Sequence, residues 1–211
     1  MFTISLLGDV MLGRLVPVSN QVDENVINFL QESAFNIANL ECVITDKSEV
    51  KSKLVNKPKK YMCKHGASQK QGVLLKKLKI GCCNFANNHI LDYDFYGVKD
   101  TIQFFNETRI KWFGFGKNWE TAWKPRIIRL KTSNDASSEP EILKIALFGL
   151  SDHFVEWKAD TEAGINYFDI DNFQNAEQNL NRAKWQAFEY IKEQIDEGIL
   201  FLYSFIFVKI S

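Results

Sequence analysis

Apolar and polar positions fall into blocks of strand length and helix length along the first half of the chain. Phe2 to Leu7 is an apolar run with only weak alternation, a pattern suited to a strand covered on both faces, and it predicts a first central strand. Asp23 to Gln31 sets Val26, Ile27 and Leu30 on one helical face, and Phe35 to Ala38 reads as a strand that runs out into Asn39, Leu40, Glu41 and Cys42. Residues 45 to 65, marked by Pro58, predict a long loop, and loops of that length inside compact domains often carry function. Gly66 to Lys79 spaces Val73, Leu74 and Leu78 as a helix does. Ile80 to Ala86 is the next strand and ends at Asn87, Asn88 and His89. Tyr93 to Arg109 predicts an amphipathic helix with Val98, Ile102 and Phe105 on its stripe, followed by a short strand over Ile110 to Gly114.

Further on, Arg126 to Lys131 and Ile142 to Leu150 predict a hairpin across the polar connection TSNDASSEPE. Asp171 to Gly198 reads as helix, with Leu180, Ala183, Ala187, Tyr190 and Ile191 on one face and Gly198 placed as its cap. The apolar stretch Ile199 to Val208 predicts a final buried strand, since it falls well short of the ~20 residues that span a bilayer as a helix. No repeat or low-complexity segment interrupts the pattern.

Strand and helix alternate over the first 114 residues, which predicts parallel crossover units and a layered α/β fold. Ligands in such sheets gather at the carboxyl ends of the strands. Asp9, Glu41, Asn88 and His89 all stand at such ends, so separate strands are expected to aim polar groups at one place.

Composition narrows the picture. A chain of 211 residues with 45% hydrophobic and 25% charged residues folds around a sizeable core, and a single domain over 1–211 is the default. Lys plus Arg and Asp plus Glu both number 26, which leaves no net field for a polyanion, and no nucleic-acid-binding motif is present. The charge is uneven, however, with Lys47, Lys51, Lys53, Lys57, Lys59, Lys60 and Lys64 in one segment. That segment reads first as a solvated loop and second as a landing strip for an anionic substrate. Cys42, Cys63, Cys82 and Cys83 form no CxxC pair and suit buried thiols in a reducing compartment. The amino terminus lacks the basic and apolar regions of a secretory signal, and no segment reads as a transmembrane helix, so the chain as written is expected in the cytoplasm.

Carboxylates, amide oxygens and imidazole are the donors that Mg²⁺, Mn²⁺ and Zn²⁺ accept, so Asp9, Glu41, Asn88 and His89 are of the right types. Taken singly each is a weak signal: a lone Asp after a strand is more often a cap or turn residue, and Asn-Asn can simply shape a tight turn. A carboxylate at the mouth of a strand calls for a cation, a nest of hydrogen bonds or water, and composition does not choose among these. Nucleophilic and nucleotide chemistries compete poorly. There is no GxSxG elbow, and GFGKN at Gly114 to Asn118 lacks the spacing of a phosphate-cradling loop.

Four ordered blocks, TISLLGDVMLGR, ANLECVIT, FANNHILDYDFYGVKDTIQFF and GFGKNWETAWKP, with IALFGLSD as a fifth, closely resemble the CapA family of capsule or poly-γ-glutamate synthesis proteins. The resemblance implies a calcineurin-like metallophosphoesterase fold, a layered α/β sandwich. It implies that Asp9, Glu41 and Asn88 are metal ligands for a divalent Mn, Zn or Mg ion. By the same resemblance His89 is the catalytic donor to a phosphate-like oxygen or leaving group, and the partner is an anionic polymer or phosphoester. Arg14, Lys57, Lys59 and Lys60 are the candidate substrate-binding cations. The family also carries a His-Trp-Gly and a Gly-His-x-His motif, whereas here Phe207, Val208 and Lys209 stand near the first position and no histidine follows His153. The chain is therefore expected to be the amino-terminal part of such a domain, with one cation held weakly or none. Its uncovered apolar end from Ile199 to Val208 would then favour self-association. The alternative is a non-catalytic remnant or interaction module with the same half-fold.

Overall fold

A computed structural model describes residues 2–13, 22–47, 65–132, 142–152 and 154–168, together with the backbone of 200–204. The chain falls into two compact units, Met1–Trp112 and Phe113–Ser211.

The first unit opens with β1 (Ile4–Val10), α1 (Glu24–Glu32) and β2 (Phe35–Leu40). Two short strands follow, β3 (Val43–Ile44) and β4 (Gly66–Ala67), then α2 (Gln69–Lys77), β5 (Ile80–Asn84), α3 (Asp94–Thr108) and β6 (Lys111–Phe113). The main sheet runs β1-β2-β5-β6, and β1, β2 and β5 are parallel, so the crossover expectation holds and their carboxyl ends share one edge. β2 and β5 are almost wholly buried. β1 differs from the expected central strand. Among the described residues it pairs on one side only, with β2, and Leu6 is 58% exposed. A short apolar run fits one covered face as well as two, and periodicity alone cannot separate them.

The helices are capped by the residues at their ends. Asp23 accepts from the amide of Asn25 at 2.8 Å, and Ser68 and Gln71 close a capping box on α2. Arg109 ends α3 in the left-handed region at φ 61°. The buried faces are rotated from those expected. α2 turns Gly72, Leu75 and Leu78 inward and leaves Val73 half exposed, because Gly72 lets the helix approach Phe104 and Ile44 closely. α3 buries Gly97, Val98, Thr101, Phe104 and Phe105, with Ile102 at the margin. On α1 only Leu30 is fully buried, and Val26 is 46% exposed. Three apolar positions define a stripe only to within a helical step, and the packing partner selects the final rotation.

Two polar side chains lock these layers. The amide of Asn36 at the start of β2 donates to the carbonyls of Leu30, Leu78 and Lys79, joining the ends of α1 and α2 to the sheet. Thr101 on α3 accepts from the amide of Ile44 at 2.9 Å and donates to the carbonyl of Gly97, holding α3 against β3.

The second unit contains β7 (Phe115–Gly116), α4 (Trp119–Trp123), β8 (Arg126–Lys131), β9 (Ile142–Gly149), β10 (Gly164–Ile165) and β11 (Leu200–Ser204). β8 and β9 form the expected antiparallel hairpin, in register from Arg126 opposite Leu147 to Lys131 opposite Ile142. β11 adds in parallel on the other side of β9, so the apolar tail supplies a strand, and β7 pairs with β10. The helix expected over Asp171 to Gly198 lies outside the described residues.

Candidate functional site

The carboxyl ends of β1, β2 and β5 bring the four expected residues together within the first unit. Asp9 is next to the last residue of β1 and is exposed, whereas Glu41, one residue beyond β2, is only 4% exposed. They meet through a residue that the sequence pattern did not single out. The buried amide of Asn39 donates to Asp9 Oδ1 at 2.9 Å and to Glu41 Oε1. Asn88 and His89 arrive from the turn after β5, where His89 Nε2 lies 3.7 Å from Glu41 Oε2 and 3.1 Å from Asn88 Nδ2.

Asp92 sets the histidine. Its Oδ2 accepts from His89 Nδ1 at 2.8 Å and from the backbone amide of His65 at 2.8 Å. With Nδ1 donating to a carboxylate, the lone pair of a neutral imidazole sits on Nε2, facing Asn88 and Glu41. The His65 ring packs against that of His89 with centroids 4.3 Å apart. His65 is itself held by the β3–β4 pairing, in which the amide of Val43 donates to its carbonyl at 3.0 Å. At the rim, a Cβ on Gly13 would lie 2.5 Å from the carbonyl oxygen of Gly66, so the loop after β1 can pass β4 only as glycine.

The electrostatics centre on Glu41. Burial, and then the neighbouring charge of Asp9, raise its pKa above the ordinary 4.5, with His89 and the Asn39 hydrogen bond acting against the shift. Cys42, beside it, is pushed up to about 11 by burial and is an inert thiol. Cys82 and Cys83 are likewise buried and outside any disulfide, as expected, and Cys63 lies outside the described residues.

The donors fit a divalent cation. Asp9 and Glu41 offer carboxylate oxygens at one spot, and Asn88, whose amide nitrogen faces His89, has its carbonyl oxygen left to offer. A cation there would offset the charge pressed together at Glu41. Among the described residues, no group of three or more His, Cys, Asp and Glu side chains is arranged to hold a metal by itself. Arg14, Lys57, Lys59 and Lys60 lie outside the described residues. Lys47, the described lysine of the basic segment, pairs with Asp100 at 3.4 Å and lies over the ring of Tyr96. Among the described residues no helix is long and apolar enough to cross a membrane.

Asn39 and Asp92 were the residues that sequence reasoning missed. Both had a local signal: Asn39 precedes Glu41 by two positions and so points to the same side of the strand, and Asp92 follows His89 by three.

Comparison with known proteins gives two findings. The family model described as bacterial capsule synthesis protein PGA_cap matches residues 3–197. The capsule biosynthesis protein CapA of Bacillus anthracis is 27% identical over 162 residues, which cover 72% of this chain. The chain spans about a third of that protein's length, 35%.

Proposed function

This chain belongs to the bacterial capsule synthesis protein PGA_cap family, and we propose that it acts in capsule assembly through a metallophosphoesterase-like site that handles an anionic polymer. The observation that carries this reading is the pair of carboxylates from neighbouring strand ends, Asp9 and Glu41, sharing one buried amide with His89 3.7 Å away. Isolated like charges would separate, so a pair held together on a scaffold is suited to a cation. Asp9, Glu41 and the carbonyl oxygen of Asn88 would hold it. A divalent ion bound there would supply Lewis acidity. His89, its ring fixed by Asp92, presents Nε2 to the same space and would move a proton to or from an oxygen of the substrate. The name of the Bacillus anthracis relative supports capsule material as the substrate class, and the lysines between Lys47 and Lys64 would suit a polymer of negative charge.

The test is Mn²⁺ binding followed by electron paramagnetic resonance or calorimetry on the purified chain. Binding of about one ion, abolished by Asp9→Ala, is the expected result. Binding that survives Asp9→Ala and Glu41→Gln would place the ion elsewhere and end this reading.

A further inference from the structure

Beneath the two carboxylates lies a set of buried amides whose orientations can be followed one from another. Backbone N–H groups cannot reverse their direction, and they set the first amides. Asn87 Oδ1 accepts from the amides of His89 and Ile90, each at 3.0 Å, which turns Nδ2 towards the carbonyl of Leu40 at 2.8 Å and towards Asn39 Oδ1 at 3.2 Å. Asn84 Oδ1 accepts from the amide of Ala86 at 3.0 Å, which turns its Nδ2 towards the carbonyl of Ala86 and towards Asn39 Oδ1, each at 3.1 Å.

Asn39 Oδ1 thus receives two donors, and its Nδ2 must face the other way. There its two protons go one to Asp9 and one to Glu41. Reversing the amide would set its NH₂ against two NH₂ groups and its oxygen against two carboxylates, so all four contacts would become repulsive. Asn39 is fully buried, and every hydrogen-bonding position of its side chain named here has a partner.

We propose that Asn39 is the positioning residue of the carboxylate pair: held by Asn84 and Asn87, it donates one proton to Asp9 and one to Glu41 and presets both for a divalent cation. This inference rests on the reading that the pair binds a cation. The amide opposes part of the repulsion between the carboxylates before an ion arrives and leaves their other lone pairs open to it. Loss of a group that orients first ligands costs roughly 10- to 100-fold in metal affinity.

Two measurements test it. In the metal-free chain, the Asn39 side-chain amide protons should both be protected from exchange, and Asp9→Ala should release one of the two. Asn39→Ala should weaken Mn²⁺ binding by about 10- to 100-fold. Should Asn39→Ala fail to fold, Asn39→Asp provides the second route. It keeps the shape and an oxygen for Asn84 and Asn87 but sets a third carboxylate against Asp9 and Glu41. Its melting temperature in chelator should fall below that of the wild type, and Mn²⁺ should raise it by more than it raises the wild type. Rapid exchange of both amide protons in the wild type overturns the inference, as does wild-type Mn²⁺ affinity in folded Asn39→Ala, or no greater Mn²⁺ rescue of Asn39→Asp than of the wild type. If the wild type binds no Mn²⁺, the proposed function falls and this inference with it; if the wild type binds and the Asn39 variants bind equally, this inference falls alone.

Discussion

The two units use their buried interior differently. In the second unit, β9 contributes Ile145, Ala146, Leu147 and Phe148 to the core, and Ser151 and Asn166 are its buried polar side chains among the described residues. In the first unit the interior at the strand ends holds Asn39, Glu41, Asn84, Asn87, Asn88 and Asp92. Burying a polar group without a partner costs about 1–3 kcal/mol, so such a concentration persists only where the groups satisfy one another. The hairpin-based sheet is organised for packing, and the parallel sheet has given up part of its apolar interior for a fixed constellation.

That contrast can be broken by mutation, and the largest effect should come from the packed side. Leu147→Ala, at a residue 1% exposed, should cost about 2–5 kcal/mol in denaturant unfolding. Mn²⁺ affinity of the folded fraction should stay at the wild-type value. A loss of affinity in parallel with stability would show that the division of labour is false.

Asp92→Ala comes next. It leaves the amide of His65 without its acceptor and frees His89 Nδ1, at a cost of about 1–3 kcal/mol. The ¹⁵N shifts of His89 should show a mixture of tautomers where the wild type shows one, and Asp92→Asn should recover part of the stability. An unchanged His89 spectrum in Asp92→Ala would mean that other contacts orient the ring.

Glu41→Gln should have a smaller effect, on the order of 1 kcal/mol, and of opposite sign at neutral pH. Because the folded-state pKa of Glu41 is raised, the metal-free protein binds the proton more tightly when folded. The contribution is therefore complete below the ordinary value of 4.5 and is lost as pH rises from there through the raised folded-state value. Urea titrations in chelator should show that loss in the wild type and a flatter profile in Glu41→Gln. A steeper profile in the variant would reverse the assignment.

The smallest change in stability belongs to Asp9→Ala. The residue is exposed, and the variant leaves one proton of the buried Asn39 amide without its acceptor but also removes the like charge beside Glu41. The two effects offset, so melting should move by less than ~0.5 kcal/mol equivalent, even though cation binding is expected to disappear. A large destabilisation would make Asp9 a structural residue.

Much of this arrangement was legible in the order of residues. Crossover units between parallel strands have a recognisable rhythm of apolar runs and helical stripes, and carboxyl strand ends are where such sheets collect ligands, so Asp9, Glu41, Asn88 and His89 could be named together. The hairpin of β8 and β9 was equally visible from its polar connection. The inward faces of α2 and α3 were less so, because Val73 and Ile102 satisfy helical periodicity as well as Leu75 and Phe104 do, and only the approach permitted by Gly72 decides between them.

By itself the sequence determined the class of fold, the parallel crossover units that bring four polar residues to strand ends, and the chemical types available there. These follow from local periodicity and from the rules for connecting strands. The tertiary structure alone decided that β1, among the described residues, pairs with β2 only, that Asp92 orients His89 while gripping His65, and that one amide joins Asp9 to Glu41. The reason is physical. A hydrogen bond is set by distance and direction between atoms whose separation along the chain is arbitrary, 30 residues for Asn39 and Asp9 and 45 for Asn84 and Asn39, so no local pattern encodes it until packing has fixed where each side chain points.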